Sequence, residues 1–86
     1  MDINNLIANV KKKLNSEITI ESVEVEDKSF LHKNHSGHQR GKYHLKLIIN
    51  SKELRKLSKL ESSKKIYKIL DEEIKKNIHS LQILIS

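Results

Sequence analysis

Histidine is the residue type best placed to do chemistry in this chain, and four of the five histidines crowd into residues 32–44. His32, His35 and His38 follow an H-x-x-H-x-x-H spacing in the stretch His32-Lys33-Asn34-His35-Ser36-Gly37-His38, His44 comes next, and His79 stands apart near the end. Three imidazoles so spaced in a loop can approach one another, and imidazole suits zinc, copper, nickel and iron. The chain has no cysteine. Thiolate nucleophiles, disulfides, Cys-type zinc sites and a self-sufficient iron–sulfur cage are therefore excluded, and any metal must be met by imidazole, carboxylate or the ligands of a partner. The same spacing also fits a solvated loop that is His-rich by composition alone. His79 reads equally well as a ligand and as a structural histidine held by a backbone carbonyl. His44, mid-strand beside Lys46, reads first as a structural cross-strand residue.

Charge singles out the same stretch. Residues 28–46 carry five basic side chains and no acid, whereas residues 1–27 carry three basic against six acidic and residues 47–86 nine against five. The net charge of +6 comes from 15 Lys and only two Arg, Arg40 and Arg55, beside 12 Ile and seven Asn. All three enriched types have AT-rich codons, so the lysine excess is a soft signal for nucleic acid. Phe30, Tyr43 and Tyr67 are the only aromatics, which leaves little for base stacking. The chain contains no GxSxG, P-loop, GxGxxG or HExxH, and its acids cluster at 17–27 and 71–73, with Asp71-Glu72-Glu73 read as a solvated helix face. An enzyme is not indicated.

The elements that must position these histidines are legible from periodicity. A length of 86 residues admits one domain, 1–86, and Ile, Leu and Val make up close to a third of it, enough for a small aliphatic core. Ile3, Leu6, Ile7, Val10 and Leu14 share a 3.6-residue stripe, so a helix is expected over 2–15 with Asp2 as its N-cap. Alternation from Ile18 to Glu26 changes phase at Ser22, where the regular part of a first strand should begin. Tyr43, Leu45, Leu47 and Ile49 alternate with His44, Lys46 and Ile48 in a second. Ser51 can cap a short helix, and Ser58-Lys59-Leu60-Glu61 is a capping box opening a longer one with Ile66, Tyr67, Leu70 and Ile74 as its stripe and Asn77 as a left-handed stop. A third strand over 78–85 should place His79, Leu81, Ile83 and Ile85 on one face. The order α-β-β-α-α-β, a three-stranded sheet with helices on one face, makes an α+β two-layer sandwich. Gly37, Gly41, Asn34 and Ser36 favour a loop between the first two strands, and so long a loop in so small a domain is functional or disordered. No run approaches 18 apolar residues, and Asp2 and Glu17 argue against a targeting peptide, so the expectation is a cytoplasmic protein with no membrane partner.

That order, together with Asp27-x-Ser29-x-x-His32, Lys42-Tyr43-His44-Leu45-Lys46, Leu54-x-x-Leu57-Ser58 and Ile78-His79-Ser80-Leu81, resembles the BolA family over residues 3–86. The family patterns at those blocks are Asp-Glu-Ser-x-x-His, Glu-Thr-His-Phe, Phe-x-Gly-Leu/Lys-Ser and Val-His-Ala-Leu. The resemblance implies a fold like a type II KH domain with a helix-turn-helix. It also implies a monothiol glutaredoxin partner with which a bridging 2Fe-2S cluster is shared, none being bound by the isolated chain. The family's C-terminal histidine ligand falls on His79 and its loop ligand on His32, with His35 and His38 as alternates. Glu61-Ser62-Ser63-Lys64 stands where the family often has Gln-Arg-His-Arg, Lys56 replaces its Gly, Leu45 and Leu54 replace Phe, and no GxxG loop is present.

The function expected on these grounds is an adaptor in Fe–S trafficking or iron and redox regulation. Imidazoles can ligate a cluster whose other iron is held by a partner's thiolates, as in Rieske-type centres. The rival is a transcriptional regulator that binds DNA through Lys52, Arg55, Lys59, Lys64, Lys65 and Lys68, weakly, because lysines contact phosphate and few residues suit base readout. A third reading is a metal buffer using the His loop alone. A homodimer is left open.

Overall fold

The computed structural model describes residues 2–29 and 42–86. His32, His35 and His38, and the loop expected to carry them, lie outside the described residues.

The first helix, α1 (Ile3–Glu17), forms where the apolar stripe requires it, with Leu6, Val10 and Leu14 fully buried. Asp2 caps it by accepting the Asn5 amide at 2.9 Å, relieving one of the amides that a helix start leaves without a partner. Strand β1 (Ser22–Asp27) pairs antiparallel with β2 (Tyr43–Asn50). The chain then passes through α2 (Lys52–Arg55), α3 (Lys59–Ile69) and α4 (Asp71–Lys76) into β3 (Ile78–Ile85), which runs parallel to β2 and makes it the central strand. Leu45, Leu47 and Ile49 of β2 are buried, flanked in register by Val25 and Val23 on one side and by Leu81, Ile83 and Ile85 on the other. Against this face pack α1, Leu54 of α2, and Ile66 and Leu70 at the end of α3, closing one aliphatic core. The other sheet face carries Glu24, Lys46, Ile48, Gln82 and Leu84, none of them buried, which is the α+β arrangement expected from burying one face of a sheet under helices.

Two serines do the capping foreseen for them. The Ser51 hydroxyl accepts the Leu54 amide at 3.1 Å and donates to the Thr19 carbonyl at 2.8 Å, tying α2 to the segment that enters β1. Ser58 accepts the Glu61 amide at 3.1 Å, and its hydroxyl donates to the Glu61 carboxylate at 3.0 Å. Because Ser51 and Leu54 are buried, Ser51→Ala strands the Leu54 amide away from water and removes the tie to the Thr19 carbonyl. It should cost about 1–2 kcal/mol, seen in thermal melts as a fall of roughly 5–15 °C for a domain of this size; an unchanged melting temperature would contradict this.

Four expectations are corrected. The long helix expected from Ser58 to Asn77 is interrupted at Leu70 (φ −97°, ψ 16°), so the order gains a helix and reads α-β-β-α-α-α-β. The Leu70 amide bonds to the Ile66 carbonyl and the ladder resumes with the Ile74 amide on the Leu70 carbonyl at 2.9 Å, which keeps Leu70 in the core across the break. Tyr67 does not join the apolar stripe: it is 43% exposed, and its hydroxyl donates to the Leu81 carbonyl at 3.3 Å. The buried line runs instead through Ser62, Ile66, Leu70 and Glu73. Asn77 is not left-handed (φ −130°, ψ −15°). Its amide closes α4 on the Glu73 carbonyl and its own carbonyl receives the Tyr43 amide at 2.9 Å, so the chain passes directly from helix to sheet. Finally, Glu73 is not solvated. It is buried against α1, where its carboxylate meets the Lys13 ammonium at 2.7 Å, as a buried charge requires.

Candidate functional site

A fifth expectation, the phase of β3, is also overturned, and the site depends on it. Tyr43 pairs with Ile78, but His44 pairs with Ser80 and Leu45 with Leu81. One step along β2 therefore matches two along β3, and His79 is the extra residue of a β-bulge. A slip of one residue reverses every side chain in a strand. Ile78 and Leu81 consequently both contribute to the core, while His79, which strict alternation would have put beside Leu81, is exposed. The bulge turns an imidazole that would have been buried out to solvent at the start of β3.

The neighbour it meets there is His44. The two rings lie with centroids 4.9 Å apart and planes tilted by 59°. His44 sits on the outer face of the central strand yet is only 6% exposed. Its Nδ1 is 2.6 Å from the Ser80 hydroxyl, its amide donates to the Ser29 hydroxyl at 3.0 Å, and its carbonyl accepts the Lys28 amide at 2.7 Å. A shallow groove beside them is lined by Lys28, His44, Lys46, Ser80 and Gln82, among others. Lys28 is paired with Glu26 at 3.1 Å. His44, read from sequence as a structural residue, is indeed firmly bonded, but it is bonded to the neighbour of His79 and stacked obliquely on His79 itself. Ser80 was not singled out by sequence reasoning. A parallel pairing of Leu45 with Leu81 would have brought it beside His44, but no local pattern announces that pairing.

Among the described residues no three His, Asp or Glu side chains are grouped so as to hold a metal ion. His79 is nevertheless a fit donor for a shared group: it is an exposed imidazole set in a bulge at the start of β3, with its ring beside that of His44. With no cysteine in the chain, the donor set suits a cluster completed from elsewhere and does not suit a self-contained one.

The cations of the nucleic-acid reading are not gathered in one groove. Arg55 and Lys59 line a groove with Ile83, Leu84 and Ile85, whereas Lys65 and Lys68 line another between α1 and α3 with Lys13 and Glu17. Arg55 is engaged by the Asn50 side chain at 2.6 Å and by the Ser86 carbonyl. Lys65 is paired with Glu53 at 2.8 Å, while Lys52 and Lys64 are exposed. The Glu53 carboxyl is held below the usual carboxylate range by its hydrogen bond to Lys65 and by the Thr19 amide. A lowered folded-state value means that this pair stabilises the fold above the ordinary titration of a carboxylate, near pH 4–5, and ceases to do so as pH falls through the lowered value. Lys65→Met should therefore reduce stability at neutral pH and lose its effect in strong acid, once the Glu53 carboxyl is protonated, in urea titrations; an equal change under both conditions would contradict the assignment.

No helix among the described residues is long and apolar enough to cross a membrane. A family model described as BolA-like protein matches residues 14–86. No curated protein matches the chain. Among solved structures, the BolA domain of SufE1 from Arabidopsis thaliana superposes with a TM-score of 0.79 at 28% identity, covering 100% of this chain and 93% of that one. BolA1 from the same plant gives 0.78 at 24% identity, covering 96% and 92%. BolA1 from Mus musculus gives 0.73 at 22% identity, covering 92% of this chain and 62% of that one, and at these identities both BolA1 structures speak for the fold alone.

Proposed function

We propose, from the premise that this chain belongs to the BolA-like protein family, that it is a non-enzymatic adaptor that pairs with a monothiol glutaredoxin and lends imidazole ligands to a 2Fe-2S cluster the two proteins share. The observation that carries the reading is His79, an exposed imidazole turned outward by a bulge in a chain without a single thiolate. His79 would be the fixed ligand, and His32, with His35 and His38 as alternates, would supply the second. When bound, the cluster supplies a one-electron centre, and neutral nitrogen ligands raise its potential relative to an all-thiolate site. The chain's own part is to hold the His79 ring at the start of β3 and to leave the remaining coordination to the partner. Such a division of ligands suits transfer or regulation in the cytoplasm better than storage.

Mixing the protein with a cluster-loaded monothiol glutaredoxin tests this directly. Visible absorption and circular dichroism should change from the glutaredoxin-only pattern to a new one at a 1:1 ratio, and the protein alone should take up little cluster in reconstitution. A stable 2Fe-2S spectrum from the isolated chain, or no spectral change on mixing, would refute the shared-ligand reading. No observation favours the DNA reading over it: four of the six cations are split between two grooves, and Arg55 and Lys65 are engaged within the chain.

A further inference from the structure

We infer that His44 is a positioning residue for His79: a buried ring anchored on β2 and tied to β3 through Ser80 fixes the direction in which the exposed imidazole is presented. The inference rests on the reading of His79 as a ligand, and it adds a residue that this reading does not require. A bulged residue lies outside the regular ladder, and an exposed side chain on it would sample several rotamers. What opposes that here is the His44 ring at 4.9 Å and a 59° tilt. His44 can act as a stop because it is itself held at three points: the Ser29 hydroxyl on its amide, the Lys28 amide on its carbonyl, and the Ser80 hydroxyl on Nδ1.

Ser80 makes the arrangement a closed unit. It is the register partner of His44 across the sheet and the chain neighbour of His79. The 2.6 Å contact therefore bridges the strand carrying the buttress and the strand carrying the presented ring. An aliphatic residue would fill position 44 of a central strand without the cost of burying imidazole nitrogens. Burial at 6% exposure with a dedicated hydroxyl partner gives His44 a fixed ring against which the His79 imidazole rests.

Three variants separate positioning from packing. His44→Phe keeps a ring and removes the Ser80 bond; Ser80→Ala keeps both rings and removes the anchor; Ser80→Thr keeps the hydroxyl and serves as the rescue. Folding is checked by amide NMR spectra. In the isolated protein, the His79 ring resonances and the ring-to-ring cross-relaxation should be lost or redistributed in His44→Phe and Ser80→Ala and retained in Ser80→Thr. In the mixture with cluster-loaded glutaredoxin, the first two should shorten the cluster lifetime roughly tenfold, the low end of what loss of an outer partner costs, while Ser80→Thr stays near wild type. Folded Ser80→Ala protein with a wild-type His79 ring signature and lifetime overturns the inference while leaving the shared cluster intact. If the wild-type mixture forms no shared cluster, the ligand reading fails by itself, and the ring signature in the isolated protein still decides whether His44 orients His79. Should His44→Phe fail to fold, the two Ser80 variants carry the test.

Discussion

His79→Ala is expected to abolish the new visible circular-dichroism pattern of the mixed complex, leaving that of the glutaredoxin alone, while the protein stays folded. Both halves follow from position. The side chain is exposed and makes no part of the aliphatic core, so its loss should change stability by no more than about 0.5 kcal/mol. As a ligand, however, it has no substitute: the other described imidazole, His44, is tied to Ser80 and buried. His32→Ala should weaken the signature only partly, because His35 or His38 could replace it at an ordering cost of roughly 1 kcal/mol or more per backbone residue fixed. A folded His79→Ala protein with wild-type spectrum and affinity, alongside a His32→Ala protein that loses both, would reverse the ranking of the two ligands. If neither substitution matters, the shared-cluster mechanism falls with them.

The largest effect on stability is expected from Leu47→Ala. Leu47 is the middle inward residue of the middle strand, fully buried, with Val25 and Ile83 as its register partners on either side. Hydrogen-bonded strands flank the site on both sides, so the cavity can close little. The loss should lie near 3–4 kcal/mol, within the range for Leu→Ala in cores. A domain of this size has roughly 5–15 kcal/mol in all, and the melting temperature should fall by about 15 °C or more. Leu84→Ala is the control: Leu84 lies on the outer face at 44% exposure and should cost about 0.5 kcal/mol or less. Urea denaturation decides the matter, and a loss below 1 kcal/mol for Leu47→Ala would show that the sheet relaxes around the cavity.

These two substitutions also mark where local pattern was sufficient. The place of Leu47 was readable because alternation along β2 is a property of seven neighbouring residues, and the inward set Leu45, Leu47 and Ile49 is the one observed. The same holds for α1 and for the caps at Asp2, Ser51 and Ser58, each closed by an amide three residues on. In these cases cause and effect lie within one or two turns of chain, so residue type and spacing determine the outcome. The family resemblance was legible for a similar reason, since its blocks are short and in order.

The setting of His79 depends on contacts that no window of sequence contains. Its outward direction comes from the register of β3 against β2, a pairing across more than thirty residues in which one extra residue is absorbed at the bulge. Read by alternation alone, His79 belongs with Leu81 and faces inward; only the pairing of Tyr43 with Ile78 and of Leu45 with Leu81 reverses it. The His44–Ser80 bond spans 36 positions and the Lys13–Glu73 contact spans 60. Tyr67 leaves the stripe of α3 for the Leu81 carbonyl, and Asn77 gives its own carbonyl to Tyr43 rather than turning left-handed. Periodicity determines which face of an element is apolar. Where a polar side chain on that element ends up is determined by the strand or helix it meets, because a hydrogen bond or ring contact is satisfied by whichever group packing brings within about 3–5 Å, however distant in the chain.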